Sequence, residues 1–243
     1  MPLDRTLSGL GLLLAPTMRS RAYAQMLASR GLSPDHVFHY PAPEAVWTGE
    51  RTVRVPLDED GRFFDFAPYE TAAETVENAG WDHSTLPDTD INHESVRKIL
   101  AESGLSVLVY SGMNKAIVSK ETLECSPKLL HVHGGYLPDY RAATGFYFGL
   151  LETGRVGVSA IWLDQGFDTG DLVGRAWYPG GHGLNVDAIV DPVARADLLA
   201  NELESWLENG TFPAVPQTGV AENYFVIHPV LKHLALRRAA QTI

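Results

Sequence analysis

An open, mostly parallel α/β sheet with helices on both faces is the fold class this sequence predicts, and three observations predict it. Short apolar runs without polar alternation recur along the chain, as strands buried on both faces do. Runs with helical spacing separate most of them. Toward the far end, two strand-like runs follow one another with no helix between, which marks a mixed edge.

The elements follow in order. "GLGLLLA" (9–15) reads as a strand buried on both faces. "SRAYAQMLASRG" (20–31) reads as a helix with Ser20 as N-cap and Gly31 as its stop. "HVFHYP" (36–41) is the next strand, which completes a βαβ unit. Residues 42–90 are rich in Pro, Gly, Asp and aromatics and show weak periodicity. "RFFDF" (62–66) predicts a short strand there and "ETAAETVENAG" (70–80) a helix; the rest is expected to loop over the sheet edge. "HESVRKILAESG" (93–104) is an amphipathic helix and "LSVLVYSG" (105–112) a buried strand. "SKETLECSP" (119–127) predicts a short helix that packs Cys125, and "KLLHVH" (128–133) a strand. A helix (143–154), a strand (155–164), a further strand (171–179) and a long amphipathic helix (191–210) follow. The tail ends in a short basic helix. Residues 1–210 are expected to form one Rossmann-like domain, with 211–243 an extension packed on it.

Composition narrows the function. The chain has 243 residues, 45% of them hydrophobic, and a formal charge of -11 from 19 basic and 30 acidic residues. Phosphate backbones require a basic surface, so no nucleic-acid partner is expected. Cys125 is the single cysteine, which excludes an intrachain disulfide and a cysteine-based zinc site and fits a reducing compartment. "LSGLGLLLA" (7–15) is too short to span a membrane, and a buried first strand accounts for it better than a signal peptide does. A cytoplasmic protein without a membrane partner is the expectation.

Two constellations carry chemistry. In "LLHVHGGYLPDYRAATGF" (129–146), His131 and His133 stand two apart at a strand end and so face one space. A core role is the plain alternative, and a two-histidine, one-carboxylate metal site is another; the reading adopted assigns no metal. In "WLDQGFDTGD" (162–171), Asp168 is placed to orient an imidazole, although an acidic turn is the simpler reading. A calcium loop is disfavoured, since it needs regularly alternating ligands and a distal Glu. Arg19 and Arg21, at the start of the first helix, are candidates to hold an acceptor phosphate or carboxylate, or else form plain surface charge. Trp47, Phe63, Phe64 and Trp81 suit either acceptor stacking or a satellite core, and Asn223, Tyr224 and His228 in the tail are weaker candidates for the cleft.

Taken together, residues 107–173 resemble the catalytic core of the folate-dependent formyltransferases. That family includes glycinamide ribonucleotide transformylase, methionyl-tRNA formyltransferase and the sugar N-formyltransferases. The resemblance implies the formyltransferase fold, with 10-formyltetrahydrofolate as donor co-substrate. It implies that His133 and Asp168 are the catalytic histidine and aspartate. Met113, Ala116, Ile117 and Val118 fall in the loop that holds the pterin, with Asp164, Gly166, Phe167 and Asp171 in the loop on its other side and Leu137 in the loop after the catalytic strand. Pro138 and Arg141 fall in that same loop and are assigned to the acceptor. The family's asparagine, which donates to the formyl oxygen, is replaced by His131, and the glycine after the loop arginine by Ala142. The implied activity is formyl transfer to a small amine: an amino-sugar nucleotide, an amino acid or a natural-product intermediate. Hydrolysis of the donor, transfer of a related group such as formimidoyl, and a non-catalytic folate-binding role remain open, as does homodimerisation.

Overall fold

The structure, a computed structural model, describes residues 5–113, 117–141, 143–219, 224 and 226–241. β1 (Arg5–Leu14), α1 (Met18–Ser29) and β2 (Leu32–His39) form the expected parallel βαβ unit. Thr17, not Ser20, caps α1: its side chain accepts the backbone N–H of Ser20, which lies in the first turn. Gly31 follows the helix at φ +66°, a conformation that costs glycine little.

Residues 42–90 hold more structure than their weak periodicity predicts. β3 (Val53–Pro56) pairs antiparallel with β4 (Phe63–Phe66). α2 (Ala72–Ala79) opens on a capping box between Thr71 and Glu74, and β5 (His83–Thr85) adds a parallel edge strand beside β2. Val53, Val55, Phe66, Val76 and Trp81 are buried with α1 in one core. The expected loops over the edge are therefore replaced by a packed layer. Phe64 and Trp81 belong to that layer and Trp47 packs against it, so these are core side chains. Phe63 is half-exposed beneath the Arg54 guanidinium.

The second half follows its apolar pattern closely. α3 (Glu94–Glu102) leads to β6 (Val107–Ser111), α4 (Lys120–Cys125) to β7 (Lys128–His133), and α5 (Gly145–Thr153) to β8 (Arg155–Trp162) and β9 (Leu172–Pro179). A single π-turn (Val186–Val190) runs into α6 (Asp191–Asn209), and α7 (Pro229–Gln241) ends the chain. The sheet order is β5-β2-β1-β6-β7-β8-β9, with β8 and β9 antiparallel, as the paired far runs predict. Successive residues of each buried strand serve opposite faces. Leu12, Val109 and Leu130 pack with α1 and α6, while Leu13, Leu108 and Leu129 pack with α3. α7 lies against α5 and buries Ala235 and Ala239. Cys125, expected to pack, is exposed on α4. Among the described residues no helix is long and apolar enough to cross a membrane.

Candidate active site

β7 delivers both histidines to the carboxyl end of the parallel strands, where ligands of open α/β sheets lie. One ligand atom from each of His131, His133 and Asp168 falls within a 4.8 Å cluster. The His133 Nδ1 is 3.3 Å from Asp168 Oδ2. The spacing of two along the strand thus brings the imidazoles together, and Asp168 reaches them from the loop after β8.

Each ring is anchored on its far side by a backbone carbonyl. His131 Nδ1 donates to Tyr110 O at 3.2 Å, and His133 Nε2 donates to Tyr140 O at 3.1 Å. A carbonyl only accepts, so these nitrogens carry the protons. Burial, with Arg19 and Arg195 nearby, holds His131 well below the usual imidazole range. Burial also lowers His133, opposed by Asp168 and reinforced by Arg195. Burial thus favours the neutral form of both rings, and His133 turns its Nδ1 toward the Asp168 carboxylate.

The glycine pair after His133 is required by what surrounds it. A Cβ on Gly134 would lie 2.2 Å from the Arg195 guanidinium, and one on Gly135 would lie 2.2 Å from Tyr140 O and 2.6 Å from His133 Nε2. The turn can approach the imidazole and its carbonyl anchor only without side chains. Asp168 sits at φ +54°, in the left-handed region that non-glycine residues adopt sparingly. Gln217 holds that turn by donating to the carbonyls of Asp168 and Gly170, and Asp164 accepts from Gly166 N and the Thr169 hydroxyl.

A cavity of about 460 Å³ opens beside the cluster. Met113, Ile117 and Val118 line one side, and Asp164, Gly166, Phe167 and Asp168 the other, with His131 and Arg19 between. Ala116, Ala142 and Asn223 lie outside the described residues. A smaller hollow of about 180 Å³ lies against His133, Asp168 and Arg195. A third, of about 430 Å³, is bounded by Thr17, Arg19, Asn185, Asp191 and Arg195. Asp168 thus lines the first and second of these spaces, Arg195 the second and third, and Arg19 the first and third.

Several expected ligand residues have structural work instead. Arg21 is buried: its guanidinium pairs with Glu44 at 2.7 Å and donates to the carbonyls of Ala45 and Pro68, so it clamps the 42–70 segment and lines none of these spaces. Leu137 is fully buried, its N–H bonded to Ser159 and its carbonyl to Arg175. Pro138, joined to it by a cis peptide, is buried as well. Arg141 donates to Gln217 and so supports the Asp168 turn from behind. Asp171 is exposed, and its carbonyl accepts from Trp162 N. Tyr224 packs on Tyr140 and Phe148, and His228 is exposed before α7.

Arg19 donates to Ser111 Oγ and Gly112 O, which leaves its shaft along the main cavity. Sequence reasoning missed Arg195. It pairs with Asp191 at 2.9 Å and donates to Val132 O, the carbonyl between the two histidines. Burial disfavours its charge, but Asp191, with Tyr23 and Asp168, offsets this and raises its pKa. The visible signal was an acid and a base four apart in "DPVAR", at the start of the long amphipathic helix.

Comparison with known proteins agrees with this fold. No family model matches the chain. The methionyl-tRNA formyltransferase of Symbiobacterium thermophilum is 35% identical over 129 residues, which is 50% of this chain and 37% of that protein. That of Synechocystis is 36% identical over 107 residues, covering 42% of this chain and 31% of its own length. The matched segment therefore spans well under half of these curated relatives. Among solved structures, glycinamide ribonucleotide transformylase 1 from Symbiobacterium toebii superposes with a TM-score of 0.56 at 16% identity, over 82% of this chain and 87% of that one. A Helicobacter canadensis N-formyltransferase, solved with folinic acid and dTDP-3-aminofucose, gives 0.52 at 12% identity, over 96% and 80%. The fold is that of the formyltransferases, and the likeness in sequence reaches about half the chain.

Proposed function

We propose that this relative of the folate-dependent formyltransferases moves a formyl group from 10-formyltetrahydrofolate to the amine of a small acceptor. The observation that carries the reading is the His133–Asp168 pair, 3.3 Å apart, with Asp168 lining both the 460 Å³ cavity and the smaller hollow against His133. Relatives by fold have been crystallised with N-formyltetrahydrofolate or folinic acid, which fits a reduced folate in that cavity. The apolar side chains of Met113, Ile117 and Val118 suit the faces of a pterin, and the polar loop at 164–168 suits its edge.

The chemistry needs an amine present as free base. Its nitrogen bonds to the formyl carbon, the bond from that carbon to N10 of the folate breaks, and the amine's proton ends on N10. The unprotonated Nδ1 of His133 and the Asp168 carboxylate together can take up and return one proton, and the lowered pKa of His133 keeps that site vacant at pH 7. The acceptor enters by the hollow beside Arg19, Asp191 and Arg195, where groups of both signs suit a small molecule bearing an amine and an anion. A net charge of -11 disfavours the tRNA acceptor of the sequence relatives.

Release of tetrahydrofolate, followed with a panel of amino-sugar nucleotides and amino acids, tests the reading. His133→Ala and Asp168→Ala are each expected to lower kcat by about 10²–10⁴-fold, the usual range for a placed proton-transfer group, with the circular dichroism spectrum unchanged. Near-normal turnover in either variant refutes the assignment.

A further inference from the structure

We infer that Arg19 is a catalytic residue whose guanidinium donates a hydrogen bond to the oxygen of the transferred formyl group as charge builds there. The inference rests on the formyl-transfer reading and adds to it the group that holds the transition-state charge. Arg19 is the one described residue that borders both the 460 Å³ cavity and the 430 Å³ hollow. In that reading the donor occupies the first space and the acceptor the second, so the carbon that changes partners passes beside this side chain.

Charge singles it out as well. Among the described residues, Arg19 is the only lysine or arginine that lines the main cavity. Arg195, the other arginine of the hollow, is gripped by Asp191 through two contacts of 2.9 Å. Arg19 donates instead to neutral oxygens, from Nε to Ser111 Oγ at 2.9 Å and from Nη2 to Gly112 O at 2.6 Å. Among the described residues its Nη1 has no hydrogen-bond partner. A partly buried cation whose contacts are all neutral is poorly compensated, and negative charge developing on a substrate oxygen compensates it.

Its position is fixed in advance. Ser111 Oγ also meets Ser20 Oγ at 2.8 Å, and both serines are fully buried. A Cβ on Gly112 would lie 2.0 Å from the Tyr110 ring, so the turn that offers the second oxygen requires glycine. Two of the three guanidinium nitrogens are thus used for anchoring, and Nη1 is left for a ligand. Donors in place before the charge appears are what lower an acyl-transfer barrier. A guanidinium suits the task, because it stays protonated and its hydrogen bond to an anionic oxygen is charge-assisted.

The step balances as follows. When the amine nitrogen bonds to the formyl carbon, the carbonyl π pair moves onto oxygen. Arg19 donates Nη1–H to that oxygen and keeps its proton. The pair returns to the carbonyl as the bond to N10 breaks, and the proton passes between the two nitrogens by way of His133 and Asp168.

The test compares turnover of the full chain, with 10-formyltetrahydrofolate and the acceptor panel, with that of Arg19→Ala and Arg19→Gln. Arg19→Ala is expected to lower kcat about 10²–10³-fold, the usual loss for one oxyanion donor, with KM for donor and acceptor little changed. Added guanidinium, at a non-denaturing concentration, should recover part of that kcat. Urea at the same concentration should not, since it has the shape without the charge. A merely structural role gives no such difference, and equal response to the two additives overturns the assignment. If Arg19→Ala does not fold, as judged by circular dichroism, Arg19→Gln decides: kcat is expected to drop with both KM values retained. A raised acceptor KM with kcat kept would make Arg19 an anchor for the acceptor and overturn the inference. Near-normal turnover in either variant sinks the inference alone. A wild-type chain that releases no tetrahydrofolate with any acceptor sinks the formyl-transfer reading, and this inference with it.

Discussion

At the scale of the residue, the site depends on side chains that are missing as much as on those present. Gly135 has no room for a methyl group, because Tyr140 O and the His133 ring occupy the space a Cβ would need. Gly135→Ala must push one of them aside, and the Tyr140 carbonyl is what fixes the tautomer of His133. Overpacking of this kind costs about 1–3 kcal/mol. Gly135→Ala is therefore expected to lower the unfolding free energy from urea denaturation by that amount and to reduce kcat more than it raises KM for the donor, since the main cavity is untouched. A variant with unaltered stability and turnover would show that the turn is not so tightly fitted.

At the scale of the element, α1 joins the sheet to the layer built by residues 42–90. Arg21 pairs with Glu44 and bonds two carbonyls of that layer, and Gln25 donates to Ala67 O and accepts from its N–H. Removing one member of a buried ion pair costs about 3–5 kcal/mol, because the other is left without compensation. Arg21→Met is expected to fall near that range and to expose residues 42–70 to proteolysis while the sheet holds. Loss of stability without new cleavage sites would place the damage elsewhere.

The same elements show what could be read from the chain. β7 was legible to the residue, because a continuous apolar run ending in polar residues has few other uses. The α1 cap was misplaced by three residues, since Thr17 and Ser20 are both good caps and only the turn geometry chooses between them. β3 and β5 were not anticipated: their runs are short, and long-range packing on α1 stabilises them rather than local propensity. At the site, His131, His133 and Asp168 were legible as a group from strand parity and the resemblance. The tasks of Arg21, Leu137 and Arg141 were not, because a sequence cannot say that a charged or loop residue has a buried backbone carbonyl or a supporting glutamine as its partner.

At the scale of the whole molecule, buried neutral histidines link folding to pH. His39, at the end of β2, is pulled down to about 4 by burial first and then by His83 and His36. The site pair His131 and His133 is lowered in the same direction, by burial first. In the unfolded chain all three titrate near the ordinary value of about 6.5. Above that pH neither state binds these protons, so the folded chain keeps its full stability. As the pH falls below about 6.5, the unfolded chain takes up protons that the folded one refuses, and stability drops with pH until the folded groups titrate in turn. For His39 the loss runs from about 6.5 down to about 4. The Tm is therefore expected to decline steadily between pH 7 and pH 5, above the range in which carboxylates dominate. His39→Asn should flatten part of that decline, because an amide carries no proton to refuse. A Tm that holds constant over this interval, or an unchanged slope in His39→Asn, would mean that the ring is solvated in the folded chain and that its burial in β2 is misassigned.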